Sequence, residues 1–286
     1  MIKTIAIAGA GTMGSGIALA AALQHYKVIL FDTNPIGVQQ AKLSIGANIN
    51  FLVAKNKISS TDGATVYNHI NFTCNINDCI ADVVIEAIIE NLAIKKTLYQ
   101  TLAAINQPTT ILASNTSSLS ITNIQAEINL PERVCGMHFF NPAHIMKLVE
   151  VVAGKKTSTT TIDTIYNLCI SLQKQPVICA DAPGFIVNRV ARHFYLEAMH
   201  MANSHNINFA DIDKLMQNAG FKMGPFALMD LIGLDVNYAV SKSVYEAFNK
   251  QIRFTPSPMQ ATKVAEGKLG KKTSVGFYNY QKKTEV

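Results

Sequence analysis

Ile2-Lys3-Thr4-Ile5-Ala6-Ile7-Ala8-Gly9-Ala10-Gly11-Thr12-Met13-Gly14-Ser15-Gly16 is the stretch whose reading decides the fold. Residues 2–8 form a short apolar run that reads as a buried strand, and the run passes directly into a G-x-G-x-x-G loop. Apolar Ile17, Ala18, Leu19, Ala20, Ala21, Ala22 and Leu23 continue as a helix, and a second strand, Lys27-Val28-Ile29-Leu30-Phe31, ends at Asp32. Strand, glycine loop, helix, strand and terminal acid in that order predict a unit that binds a dinucleotide. The three glycines act differently: Gly9 allows the tight turn, Gly11 admits a pyrophosphate to the backbone, and Gly14 brings helix and strand close. With Thr12 and Met13 between them, these residues place the phosphates at a helix N-terminus. Asp32, 18 residues beyond Gly14, is positioned to accept from the ribose hydroxyls and to repel a 2′-phosphate. That favours NAD over NADP.

The remaining pattern extends this unit. Helical spacing runs from about Asn34 to Lys57. Strands are predicted at 70–73, 82–86 and 109–113, with a helix capped by Asn91 and running to Ile105 between the last two. Further strands are expected at 134–140, 148–152 and 176–179. The alternation predicts a Rossmann-like, doubly wound, largely parallel sheet of the α/β class over residues 1–183. After Asp181-Ala182-Pro183-Gly184 the pattern turns to amphipathic helices, giving an all-helical second domain over 184–286. Its helices are expected from Phe185 to Ser204, from Asn208 to Gly220, from Pro225, from Leu234 to Phe248, and from a Ser257 cap to Gly267.

A second feature bears on chemistry. His138 and Glu150 lie in apolar surroundings within Gly136-Met137-His138-Phe139-Phe140-Asn141-Pro142 and Lys147-Leu148-Val149-Glu150. A histidine exchanges protons near neutral pH, and a carboxylate on its other ring nitrogen fixes the tautomer and stabilises imidazolium. Two readings stay open on the sequence: an oriented general base, or a core histidine and an unrelated carboxylate.

Composition narrows the classes. The 286 residues are 49% hydrophobic and 15% charged, so a folded chain of two domains is expected. The net charge of +6 is spread over pairs such as Lys95-Lys96 and Lys271-Lys272 without a basic stripe. It suits a polyanionic small ligand better than nucleic acid. Five cysteines, an odd number without zinc-ligand spacing, predict reduced thiols and no metal site. The first 23 residues contain the glycine loop, which argues against a cleaved signal, and every apolar run is interrupted before it reaches membrane length. A cytoplasmic protein without membrane contact is expected.

Taken in order, these segments resemble the 3-hydroxyacyl-CoA dehydrogenase family, within it the short bacterial 3-hydroxybutyryl-CoA dehydrogenases. The landmarks are Gly14-Ser15-Gly16, Val84-Ile85-Glu86-Ala87 through Glu90-Asn91, Ala113-Ser114-Asn115-Thr116-Ser117-Ser118-Leu119, Gly136 to Pro142, and Lys147 to Val152. Pro183-Gly184-Phe185-Ile186-Val187-Asn188-Arg189, Gly224-Pro225-Phe226 and Asp230 to Asp235 complete them. The resemblance implies an NAD-dependent oxidoreductase interconverting an L-3-hydroxyacyl-CoA and its 3-oxoacyl-CoA, with hydroxybutyryl and acetoacetyl as acyl groups, in fatty acid metabolism. By it, His138 moves the hydroxyl proton and Glu150 orients the histidine, while Ser117 and Asn188 hold the reacting oxygens. Glu90, Lys95 and Asn115 would lie along the nicotinamide half of the cofactor, and Lys55 near the CoA phosphates. It also implies a homodimer through the C-terminal domain.

Plainer readings stand beside several of these assignments. Ser117 can cap a turn, Asn188 the long helix, Glu90 and Lys95 can be a solvated pair, and Lys55 a surface lysine; His144, His193, His200 and His205 read as structural or exposed. The apolar residues Phe185, Ile186, Val190, Phe194 and Met201 share one helical face, and Leu228, Leu231 and Ile232 add to it. Ser274 stands where the family's terminal turn has a glycine, and Ala54 and Asn56 flank Lys55 where relatives are more basic. Two other functions fit the same fold: a dehydrogenase of a free hydroxy acid or sugar acid, and a non-catalytic dinucleotide-binding protein.

Overall fold

The computed structural model describes residues 2–281. The chain divides into two units, Met1–Ala182 and Pro183–Val286.

The first unit begins with β1 (Thr4–Ala8), α1 (Thr12–Ala22), β2 (Lys27–Phe31), α2 (Pro35–Ala54), α3 (Ser60–Asn68) and β3 (Ile70–Thr73). It continues through β4 (Val83–Glu86), α4 (Leu92–Ile105), β5 (Ile111–Ser114), α5 (Ile121–Gln125), β6 (Val134–Phe139), β7 (Leu148–Ala153), α6 (Thr159–Ser171) and β8 (Gln175–Ala180). The eight strands form one sheet in the order β3-β2-β1-β4-β5-β6-β7-β8. Every pairing is parallel except β6 with β7, which is antiparallel. Strands such as Val83–Glu86 and Ile111–Ser114 are buried along their whole length, as expected where helices cover both faces of a parallel sheet.

The glycine loop works by close approach. Gly9 has φ +109°, and its amide donates to the Phe31 carbonyl at 2.7 Å, tying the loop to the end of β2. At Gly14 an added Cβ would lie 1.8 Å from the Gly9 carbonyl oxygen, so no larger residue fits between α1 and the loop. Gly11, by contrast, meets nothing within 4 Å.

Several helices differ from the sequence expectation for local reasons. α2 stops at Ala54, with Asn56 at φ +53° just beyond. α3, which periodicity does not announce, opens on a reciprocal capping box between Ser59 and Asp62. α5 and α6 are likewise additions, started by the hydroxyls of Ser120 and Ser158. The strand expected at 109–113 is shifted to 111–114.

The second unit holds α7 (Val187–Ser204), α8 (Phe209–Asn218), α9 (Pro225–Ile232), α10 (Leu234–Ala247) and α11 (Pro258–Ala265). α7 begins two residues later than expected, because Gly184 and Phe185 both have positive φ. Ser257 precedes α11 but makes no side-chain cap bond, so that expected cap is absent. The core gathers Tyr195, Met199, Phe226, Met229, Leu234 and Phe277. Two buried carboxylates fasten the terminal turn to it: Asp230 accepts from the amides of Phe277 and Tyr278, each at 2.9 Å, and Asp213 accepts from the Tyr278 hydroxyl at 2.8 Å. The apolar face expected on the first helix divides here. Phe185 is buried, whereas Ile186, Val190 and Met201 are exposed, as are Leu231 and Ile232. Ser274 takes the left-handed conformation, φ +60° and ψ 3°, the backbone that favours glycine.

Among the described residues no helix is long and apolar enough to cross a membrane. All five cysteines are unpaired thiols, only Cys74 being exposed.

Three substitutions test these backbone positions by urea denaturation. Gly14→Ala should cost about 3 kcal/mol or more from overpacking, whereas Gly11→Ala should stay within about 1 kcal/mol. Ser274→Gly should stabilise by up to about 1 kcal/mol, because relief of left-handed strain exceeds the added unfolded-state entropy.

Candidate active site

The antiparallel turn-back creates the central feature. Register pairs His138 on β6 with Glu150 on β7, so the two side chains project from neighbouring strands on the same side of the sheet. His138 Nδ1 lies 2.7 Å from Glu150 Oε2, with both residues buried. The Phe140 ring covers the imidazole, the ring centroids being 4.6 Å apart. The two side chains that the sequence left unlinked are therefore in contact. A carboxylate that accepts from Nδ1 directs proton exchange to Nε2.

A second polar network stands at the ends of β4 and β5. Glu86 and Ser114 are paired in register, and the Ser114 hydroxyl donates to Glu86 Oε2 at 2.7 Å. Lys95, from α4, reaches back so that Nζ is 2.5 Å from Glu86 Oε1 and 3.1 Å from Glu90 Oε2. The solvated-pair reading fails for Lys95, which is 1% exposed, although Glu90 itself is exposed. Glu90 also accepts from the hydroxyls of Thr116 and Ser118 and from the Ser117 amide, at 2.5, 2.9 and 3.2 Å. Burial would raise the Glu90 carboxyl, but the Lys95 charge and these donors outweigh it and hold it below its ordinary value of 4.5. Such a carboxyl stabilises the fold above pH 4.5 and loses that contribution as pH falls through its lowered value. Asn115 accepts from the Phe139 amide at 2.8 Å, which fastens the loop after β5 beside His138.

Around the glycine loop, Asp32 accepts from the Ala10 amide at 2.8 Å and from the Asn34 amide at 2.9 Å, so it holds the loop as well as marking the strand end. The N-cap of α1 is Gly11, with no side-chain cap bond. Its first-turn N–H groups and the open space over Gly11 therefore suit a phosphate-bearing ligand. A cavity of about 310 Å³ adjoins the loop, lined by Gly11, Thr12, Asn48 and Asn141 to His144 among others.

Ser117 and Asn188 sit in different units. Asn188 is the second residue of α7, and the N-cap position is Ile186, without a side-chain bond, so the capping alternative for Asn188 fails. Lys55 is exposed at the end of α2, its ammonium 5.8 Å from the Phe51 ring centroid. His193, His200 and His205 are exposed. Sequence reasoning missed the parts played by Glu86, Ser114 and Thr116. The available signal was a carboxylate closing an apolar strand with a lysine nine residues later.

The chain matches known proteins along nearly its whole length. The model of the 3-hydroxyacyl-CoA dehydrogenase NAD binding domain matches residues 4–182, and that of the family's C-terminal domain matches residues 184–280. The chain is 45% identical over 287 residues to a 3-hydroxyadipyl-CoA dehydrogenase of Escherichia coli, covering all of this chain and 60% of that one. It is 39% identical over 280 residues to a 3-hydroxybutyryl-CoA dehydrogenase of Clostridioides difficile, covering 97% of this chain and 99% of the relative. A crystal structure of 3-hydroxybutyryl-CoA dehydrogenase from Escherichia coli K12 superposes with a TM-score of 0.96 at 43% identity, over 100% of this chain and 61% of that one. Thus the chain spans about three fifths of the two Escherichia coli proteins and nearly all of the Clostridioides one.

The ion pair yields a prediction. Lys95→Met leaves Glu86 charged and buried, which should cost about 3–5 kcal/mol in urea denaturation. Adding Glu86→Gln to the same chain should recover part of that loss, the coupling expected of two groups in contact.

Proposed function

The chain belongs to the 3-hydroxyacyl-CoA dehydrogenase family, with its NAD-binding domain, and from that premise we propose that it interconverts an L-3-hydroxyacyl-CoA and the corresponding 3-oxoacyl-CoA. The observation that carries the proposal is the buried 2.7 Å bond between His138 Nδ1 and Glu150 Oε2. NAD, held by the glycine loop and Asp32, would supply the hydride acceptor for the substrate's carbinol carbon. The protein's share is the proton: His138 takes it from the 3-hydroxyl at Nε2 during oxidation and returns it during reduction. Glu150 keeps the imidazole in the required tautomer and stabilises the transient imidazolium. Ser117 and Asn188 hold the reacting oxygen in reach. Gly9, Gly11, Thr12, Met13 and Gly14 receive the cofactor phosphates and Asp32 the adenosine ribose, while Glu90 and Asn115 border the nicotinamide. Lys95 sets Glu90, and Lys55 meets the CoA phosphates.

The acyl group is proposed to be short, hydroxybutyryl or acetoacetyl. One relative named for hydroxyadipyl-CoA and one named for hydroxybutyryl-CoA make the six-carbon dicarboxylic ester the direct competitor. We further propose a homodimer through the second unit, supported by exposed Ile186, Val190, Met201, Leu231 and Ile232.

The test is steady-state turnover of 3-hydroxybutyryl-CoA, 3-hydroxyadipyl-CoA and free 3-hydroxybutyrate with NAD and with NADP. Higher catalytic efficiency with a CoA ester and NAD is expected. Preference for the free acid favours the hydroxy-acid reading, preference for NADP refutes the role of Asp32, and no turnover with intact NADH binding favours the non-catalytic reading. His138→Gln should lose about 10²- to 10⁴-fold in kcat while NADH affinity stays within about twofold. A folded His138→Gln protein with near-normal turnover would exclude the mechanism.

A further inference from the structure

We propose that Lys174 is a positioning residue for this reaction: its buried ammonium, clamped on two main-chain carbonyls, fixes the loop between β6 and β7 as one wall of the cavity beside the glycine turn. The proposal rests on the functional reading above. Lys174 follows α6 and precedes β8, and is 6% exposed. Its Nζ donates to the Ala143 carbonyl at 2.6 Å and to the Met146 carbonyl at 2.9 Å. The loop also braces itself, since the Ile145 and Met146 amides both donate to the Pro142 carbonyl, at 3.0 and 2.9 Å.

The same loop borders the cavity beside the glycine turn. Asn141, Pro142, Ala143 and His144 line the 310 Å³ cavity together with Gly11 and Thr12. Ala143 is 1% exposed and presses on α1, where a Cβ built at Gly16 would come within 3.2 Å of its Cβ. Ala143 therefore meets the ammonium at its carbonyl and the glycine-rich helix at its Cβ. A displacement at Ala143 would be passed to both the cavity wall and α1.

The choice of residue is informative because it is costly. Burial, and secondarily the Lys147 charge, pulls the Lys174 ammonium down to about 8. Methionine would fill a similar space without the desolvation penalty. What an ammonium supplies and a methionine does not is a pair of strong donors aimed at two carbonyls three residues apart. The catalytic pair does not depend on this clamp, because the β6–β7 ladder holds His138 opposite Glu150. Loss of Lys174 should therefore weaken ligand placement more than the proton step.

The experiment compares Lys174→Met and Lys174→Arg with the wild-type protein, using acetoacetyl-CoA and NADH. Lys174→Met should raise the KM for one or both substrates about tenfold while kcat stays within about threefold, and Lys174→Arg should reverse most of that rise. In hydrogen exchange the Ile145 and Met146 amides should lose protection in Lys174→Met, with the β6 and β7 amides unchanged. Should Lys174→Met fail to fold, Lys174→Gln takes its place with the same expected results. Wild-type KM values in the neutral variant, or a fall in kcat at constant KM, would overturn the proposal, as would unchanged protection at Ile145 and Met146. Absence of wild-type turnover would refute the functional reading and with it the role of Lys174 in this reaction, whereas lost protection with normal KM values would refute the positioning role alone.

Discussion

The hydrogen bond between His138 and Glu150 depends on one reversal of strand direction, and the chemistry proposed here depends on that bond. β1 to β6 run parallel, but β7 turns back against β6. Directly opposed residues on neighbouring strands share a face of the sheet, so the turn-back brings the imidazole to a carboxylate 12 positions further along the chain. The register carries this outcome. A slip of one residue would move the partner to the other face and leave a buried carboxylate without its histidine. Apolar Met137, Phe139, Val149 and Val151, which alternate with the pair along the two strands and are all buried on the other face, hold that register by packing.

The rest of the first unit serves the same end of the sheet. The strand order reverses between β1 and β4, where the loops leaving adjacent strand ends diverge, and the crevice outside such a switch point is where open α/β sheets bind ligands. The glycine loop leaves β1 there, and Glu86 closes β4 beside it through the pairing of Ala8 with Glu86. Glu86, Lys95, Glu90, Ser114 and Thr116 then form one hydrogen-bonded group that sets the loops after β4 and β5. A buried network of this kind adds little net stability over apolar packing, but it fixes polar groups in one arrangement.

Much of the fold was legible because it rests on local rules. The apolar run over Thr4–Ala8, the glycines after it and Asp32 at the end of β2 each declare their role by residue type and spacing. α3 and α5 were missed because they are short and carry few apolar positions, so their start signal is a single side chain, whereas α6 does carry helical spacing at Ile162, Ile165, Leu168 and Cys169. The separation of Ile186 and Val190 from Phe185 was hidden too, since it follows from two positive φ angles ahead of α7. In the candidate site, residue identity pointed to His138 and Glu150, whereas their contact is a property of register. Apart from the family resemblance, residue type left Lys95 readable as half of a solvated pair, because its burial depends on Glu86, a carboxylate from another element. Lys174 gave no signal at all, since its partners are main-chain carbonyls that every sequence possesses.

The central claim is that His138 carries the proton in both directions of the reaction. The most direct test is the pH dependence of kcat/KM for the wild-type protein, measured separately for oxidation of 3-hydroxybutyryl-CoA and reduction of acetoacetyl-CoA. A neutral imidazole is needed to accept a proton and an imidazolium to donate one. The account predicts that oxidation gains and reduction loses as pH rises across a shared inflection, and that neither inflection remains in the residual activity of His138→Gln. Two profiles that rise or fall together, or inflections that persist without the histidine, would contradict it.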